Sequence, residues 1–191
     1  MQRPIPRRAI LAGLAPIAGA PALAQPTPDA EAAWQALAEG GIALFRHAIA
    51  PGGGDPPGMR LGDCGTQRNL DEAGRAQARR IGATFRDRGI VVGAVRASAW
   101  CRAMETAELA FPGRARAEPA FNSFFGARQD QEARTAAARR LMLAWDGPGA
   151  LFVATHQVNI TALTSIFPAS GEGVVLRRDG EALVVVGRIR P

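Results

Sequence analysis

The chain holds two histidines, His47 and His156, and the first directly follows an arginine, Arg46. A second arginine that stands out, Arg102, lies in the run Ser98-Ala99-Trp100-Cys101-Arg102-Ala103-Met104-Glu105-Thr106-Ala107. Together these residue types suit phosphoryl transfer. A phosphate monoester is an anion that repels nucleophiles, so cations must first gather its oxygens. An arginine fork meets those oxygens in pairs and keeps its charge. Two arginines and a histidine can neutralise the charge that spreads over three equatorial oxygens. A neutral imidazole nitrogen then attacks in line, and water hydrolyses the resulting phosphohistidine. On this reading His47 is the nucleophile, while Arg46, Arg102 and His156 grip the phosphate. No metal and no cofactor is expected, because the two histidines and two cysteines are scattered over four motifs without ligand spacing.

Such residues must be presented by rigid elements. Ile42-Ala43-Leu44-Phe45 is a short apolar run of buried-strand type that delivers Arg46 and His47, and Leu151 to Thr155 is another that delivers His156. In open α/β sheets ligands bind beyond the carboxyl ends of the strands, so both histidines fall on that rim. Helices are expected over Asp29–Glu39 (capped by Asp29), Asp71–Arg88 (capped by Asp71), from about Cys101 to before Pro112, and over Gln131–Trp145. Further strands are expected at Val91–Ala97 and Ala115–Phe121. Val174–Arg178 and Ala182–Ile189 flank Asp179-Gly180, a hairpin signal. The alternation argues an α/β three-layer sandwich: a mostly parallel central sheet flanked by helices, with the C-terminal hairpin supplying an antiparallel edge. Between His47 and the second helix runs a Gly- and Pro-rich stretch, Ala50 to Asn69, of a length usually reserved for function.

The motifs resemble those of the histidine phosphatase superfamily, the phosphoglycerate mutase-like fold. Its Arg-His-Gly signature appears as Arg46-His47-Ala48, and its helix motif as Asp63, Leu70, Gly74 and Gln77-Ala78. Its Ser-x-x-x-Arg-Ala-x-Glu-Thr-Ala run starts at Ser98, and its second histidine is His156 after Thr155. The resemblance spans Ile42 to the C-terminus, and it implies a metal-independent phosphatase acting through a phosphohistidine. Glu105 and Thr106 are read as scaffold, because a helical glutamate three residues after Arg102 can hold that guanidinium by hydrogen bonds.

The departures concern the proton donor. The glutamate that one branch of the family uses aligns with Asn122, and the aspartate that another branch places after the second histidine is Gln157. Neither amide can act as a general acid. Asp55, after Gly52-Gly53-Gly54, is taken as the proton donor, with Asp63, Glu118 and Asp130 as alternatives. Asn69, Asn122 and Gln157 are assigned to substrate binding, and Gln67 and Arg68 either line the pocket or brace the loop. The missing acid also supports two other readings: a phosphate-binding module without catalysis, and a hydrolase of phosphohistidine or another phosphoramidate. Cys64 and Cys101, an even pair in a chain read as exported, are expected to form a disulfide.

Export is read from the first 24 residues. Arg3, Arg7 and Arg8 precede an apolar stretch from Ala9 to Ala20, and Ala22-Leu23-Ala24 offers a small-x-small cleavage site. Arg7-Arg8 resembles a twin-arginine signal. The expected division is therefore a signal over residues 1–24, a linker and helix over 25–40, and one catalytic domain over 41–191, located in the periplasm. The stretch is too short to span a bilayer. Loss of its three arginines lowers the formal charge from +6 to +3, a scattered excess that argues against a nucleic-acid partner. The expected partner is a small phosphorylated substrate.

Overall fold

The structure, a computed structural model, describes Met1 and residues 28–191. Residues 2–27, which hold nearly all of the expected export signal, lie outside the described part. The elements in chain order are α1 (Pro28–Ala38), β1 (Ile42–Arg46), α2 (Glu72–Asp87), β2 (Val92–Ala97), α3 (Cys101–Ala110), β3 (Ala115–Ala117), α4 (Gln131–Leu143), β4 (Ala150–Thr155), α5 (Gln157–Thr164), β5 (Gly173–Asp179) and β6 (Ala182–Ile189). Short 3-10 turns lie at Cys64–Thr66, Pro119–Phe121 and Arg128–Asp130.

One six-stranded sheet runs in the order β3-β2-β4-β1-β5-β6. Strands β3, β2, β4 and β1 are parallel to one another, whereas β5 runs antiparallel to β1 and β6 antiparallel to β5. Side chains alternate across a strand, so each strand feeds two cores. Ala43, Phe45, Phe152, Ala154 and Val175 pack with Trp34 and Leu37 of α1, Ile81 and Phe85 of α2, and Ala103 and Ala107 of α3. Their neighbours Ile42, Leu44, Leu151, Val153 and Val174 pack on the opposite face with Ala138 and Met142 of α4 and Ile160 of α5. β4 is buried along its whole length, as a strand covered on both faces must be.

Helix α2 shows how closely the loops are held. Asp71 caps it by accepting the Gly74 amide at 2.7 Å. A Cβ on Gly74 would meet the carbonyl oxygen of Ile49 at 2.0 Å, so only glycine lets α2 press against the segment after His47. Gln77 then ties two loops together, accepting from the Ile49 amide at 3.0 Å and donating to the Ser170 carbonyl at 2.9 Å.

Three expectations are corrected here, and one helix is added. The strand expected over Ala115–Phe121 stops at Ala117, and Pro119–Phe121 forms a 3-10 turn. The hairpin turn is Gly180-Glu181 rather than Asp179-Gly180, since Asp179 still pairs with Ala182. Gly180, at φ +59°, takes the position that favours glycine. α1 starts at Pro28, so Asp29 lies in its first turn and not before it. Helix α5 was not anticipated: its Val158, Ile160, Thr161 and Thr164 look strand-like in sequence, and tertiary packing overrides that preference.

Candidate active site

The site forms where β1, β2 and β4 end together. Arg46 pairs with Thr155 in the β1–β4 ladder, and Ala97 with Ala154 in the β2–β4 ladder. The next residues on each strand therefore emerge at one level. The His47 amide donates to the Thr155 carbonyl and the Ser98 amide to the Ala154 carbonyl, each at 2.9 Å.

The side chain of His47, 2% exposed, has a defined tautomer. Its Nδ1 lies 2.8 Å from the Ala48 carbonyl oxygen, which only accepts, so Nδ1 carries the hydrogen and Nε2 keeps its lone pair. Burial lowers its pKa to about 3, and Arg102, Arg68 and Arg46 push the same way against the Ala48 carbonyl. The ring is thus neutral and nucleophilic at ordinary pH. Ala48 itself is fixed by donating to Thr106 Oγ1 at 3.0 Å, and that hydroxyl donates to the Arg102 carbonyl at 2.6 Å. Ser165 alone among the described non-glycine residues has a positive φ, so Ala48 needs no glycine conformation.

His156 is also buried, with its ring centroid 5.4 Å from that of His47. Its Nε2 lies 2.8 Å from Ser98 Oγ, which is 3.4 Å from Asn122 Oδ1. Burial first, then the charges of its neighbours, depress its pKa well below the usual histidine range. An arriving dianion opposes that depression. Protonated opposite such a dianion, the ring donates from Nε2–H to Ser98 Oγ, whose hydroxyl donates to Asn122 Oδ1, and its Nδ1–H is left for the ligand.

Four guanidinium groups line the pocket: Arg46, Arg68, Arg102 and Arg134, the last paired with Asp130 at 3.0 Å. Arg46 Nη1 donates to the Pro168 carbonyl at 3.0 Å. The loop bearing that carbonyl is anchored by buried Glu172, which accepts from Arg188, Arg190 and the Ala169 amide. Arg68 Nη1 donates to the carbonyls of Ala50 and Gly52 at 2.6 and 3.0 Å. Arg102 meets Asp55 through both Nη atoms, at 2.6 and 3.1 Å. All four have a buried Nε–H without a hydrogen-bond partner among the described residues. Burial, followed by the charge of Arg102, lowers the pKa of both Arg46 and Arg68. With Asp55 set against Arg102 and Asp130 against Arg134, Arg46 and Arg68 leave an excess of the size a phosphate dianion carries.

The pocket has a volume of about 750 Å³, far more than a phosphate needs. Met59, Trp100, Phe125 and Val158 give it an apolar wall. The four residues read from sequence as catalytic, Arg46, His47, Arg102 and His156, all lie on its lining, as do Asp55 and Gln157. Asn69 and Asn122 do not. The Asn69 amide donates to the carbonyls of Cys64 and Gln67 at 2.7 and 3.2 Å, bracing its own loop. Asn122 Oδ1 accepts the Ala99 amide at 2.8 Å and shapes the approach to α3. Glu105 does not hold Arg102; it faces Arg75 at 3.5 Å, and Asp55 takes the role expected of it. Gln67 accepts the Cys101 amide at 3.0 Å as a brace. Arg68, which spacing left undecided, reaches the pocket because the chain folds back over His47, a long-range event with no local signal.

As Asp55 stands, it is ionised. It accepts from Arg102, from Trp100 Nε1 at 3.0 Å and from the Arg68 amide at 3.1 Å. Burial alone would raise its pKa, but the Arg102 hydrogen bond and charge, with those two donors, outweigh it and hold the carboxyl below the usual range. Asp63, Glu118 and Asp130 are engaged elsewhere, with Arg60, the Ala120 amide and Arg134. Cys64 and Cys101 form a disulfide with a Cα separation of 5.7 Å. It joins the loop that carries Asp55 and Arg68 to the first residue of α3, next to Arg102.

No family model matches the sequence, and no curated protein matches it closely enough to report. Structural comparison does find likeness. The protein histidine phosphatase SixA, in complex with tungstate, superposes with a TM-score of 0.58 at 16% identity, over 78% of this chain and 96% of that one. The chain has the phosphoglycerate mutase-like fold. Similar too is a mycobacterial glucosyl-3-phosphoglycerate phosphatase complexed with VO3, with a TM-score of 0.53 at 16% identity over 72% and 92% of the two chains. Phosphoserine phosphatase from Entamoeba histolytica, a mutant in complex with phosphoserine, gives 0.55 at 10% identity over 78% and 95%. On this fold the six-stranded sheet brings His47 and His156 to one rim, where the unfilled positive charge gathers.

Proposed function

We propose that the protein is a phosphatase that hydrolyses a phosphate monoester through a phosphohistidine on His47. The observation that carries this is the neutral His47, with Nδ1–H tied to the Ala48 carbonyl and Nε2 unprotonated, beside Arg46, Arg68, Arg102 and His156. The arginines gather the phosphoryl oxygens and spread the charge of the transition state. Nε2 attacks phosphorus, the bond to the leaving oxygen breaks, and water then cleaves the phosphorus–nitrogen bond. All of the positive charge this scheme requires comes from side chains, so we read the reaction as metal-independent. The basic start and Ala22-Leu23-Ala24 support secretion to the periplasm, with Gln25 as the mature N-terminus.

The test is turnover of a panel of phosphate monoesters and phosphoramidates by wild type and His47→Ala. Wild type is expected to release phosphate and, on rapid quench with labelled substrate, to yield an acid-labile, alkali-stable adduct that His47→Ala lacks. An inactive wild type that still binds phosphate would favour the binding-module reading. Preference for phosphoramidates over every ester would favour the phosphohistidine hydrolase, a reading supported by the absence of an untethered acid in the pocket.

A further inference from the structure

The Asp55–Arg102 pair stands at odds with the chemistry around it. Arg102 is 3% exposed and sits at the start of α3, as a phosphate ligand should, yet both of its Nη atoms are already taken by a carboxylate. A carboxylate meeting an arginine fork side-on mimics two oxygens of a phosphoryl group. Asp55 is also the one carboxyl among the described residues that lines the pocket.

We infer, on the phosphatase reading above, that Asp55 is an internal stand-in for substrate: the incoming phosphoryl group replaces it on Arg102, and the released carboxyl is the proton donor to the leaving oxygen. This gives the site the acid that Asn122 and Gln157 cannot supply.

The local chain permits the exchange. Asp55 follows Gly52 and Gly54, whose φ angles are +95° and +99°, and a Cβ on Gly53 or Gly58 would touch nothing within 4 Å. The segment therefore has room to swing while the far end of the loop stays pinned through Cys64–Cys101. Arg102 stays in place, because it is buried within α3 and its carbonyl is bonded by Thr106.

The charged groups facing Asp55 are Arg102 from α3 and Arg68 from the returning loop, with Arg46 of β1 and Arg134 of α4 on the same pocket lining beside the titratable His47 and His156. Once phosphate occupies Arg102, the carboxylate loses its bidentate partner and faces an added anion. Both changes favour uptake of a proton from solvent as substrate binds. In the first step His47 Nε2 donates its lone pair to phosphorus and the bond to the leaving oxygen breaks with its electron pair. The Asp55 proton goes to that oxygen. In the second, water attacks phosphorus, Asp55 takes a water proton, and the phosphorus–nitrogen pair returns to His47. When phosphate leaves, Asp55 releases the proton and closes again on Arg102.

Two measurements test this. The first is a crystal structure of the wild-type protein with vanadate. The expected result has anion oxygens on Arg102 Nη1 and Nη2 and the Asp55 carboxylate beyond hydrogen-bond distance of that residue. An Asp55 that keeps both bonds while vanadate sits in the pocket overturns the exchange. A vanadate-free His47 pocket at saturating anion overturns the phosphoryl-transfer reading itself. The second compares Asp55→Asn with wild type on an alkyl phosphate and a nitrophenyl phosphate. Asp55→Asn is expected to lower kcat/KM for the alkyl ester about 10²- to 10³-fold, because an alkoxide needs a proton. It should change the nitrophenyl ester less than about tenfold, because that phenolate leaves unaided. An equal loss on both esters would make Asp55 a positioning residue for Arg102 and overturn its role as acid.

Discussion

His47 shows how one residue can serve catalysis at a cost in stability. Its pKa in the folded chain, about 3, lies below the ordinary value of 6.5. Between those two values the unfolded state binds more protons than the folded one, so stability falls as pH is lowered through that window. The loss approaches about 1.4 kcal/mol per pH unit for one fully linked proton. His156, also depressed, acts in the same direction. Urea midpoints measured from pH 7 to pH 4 are expected to fall more steeply for wild type than for His47→Asn; parallel curves would contradict the burial argument. Arg68 makes a second residue-scale prediction. It lines the pocket with Arg46 and Arg102, so Arg68→Ala is expected to reduce kcat/KM by about 2–4 kcal/mol of transition-state stabilisation, as loss of one oxyanion donor does elsewhere. Steady-state kinetics on one ester checks it, and an unchanged kcat/KM would make Arg68 only a loop brace.

Among the elements, the stretch from Ala50 to Asn69 has little regular structure beyond one 3-10 turn at Cys64–Thr66, and its order comes from bonds to other parts of the chain. Arg68 clamps its start, Gln67 reaches Cys101, and the disulfide closes a separation of 37 residues onto α3. Crosslinking at that separation is worth about 3–4 kcal/mol in the chain-entropy view. The paired Cys64→Ser, Cys101→Ser variant is expected to lose stability of that order in urea. Its KM should rise before it unfolds, because Asp55 and Arg68 then ride on a looser loop. A variant with reduced stability and an unaltered KM would separate the disulfide from the pocket.

Across the whole molecule, the division of labour is between a two-faced sheet and the loops beyond its parallel edge. α1, α2 and α3 cover one face and α4 and α5 the other, so the rim where β1, β2 and β4 end is left for chemistry. The pocket gathers arginines, and the proposed scheme takes its positive charge from them. On that scheme dialysis against EDTA is expected to leave turnover unchanged, with vanadate and inorganic phosphate competing against substrate. Activity lost to EDTA and restored by a divalent ion would overturn the metal-independent mechanism.

Much of the fold was legible in the sequence, because the central strands are short apolar runs covered on both faces, and Arg46-His47 stands where the first of them ends. Periodicity, the Asp71 cap and the Arg46-His47 and Arg102 motifs are local, and local patterns are what a sequence displays. Helix α5 was hidden because β-branched residues prefer strands until packing against β1 and α4 decides otherwise. The partners of the charges were hidden for a related reason. Nothing in the spacing says that Arg102 meets Asp55 rather than Glu105, that Arg68 joins the pocket, or that Asn122 turns away to brace α3. An ion pair is chosen by which side chains the folded backbone brings within about 4 Å. For a Gly-rich loop that choice is made by long-range contacts, so residue identity set the chemistry available and tertiary structure decided which groups share it.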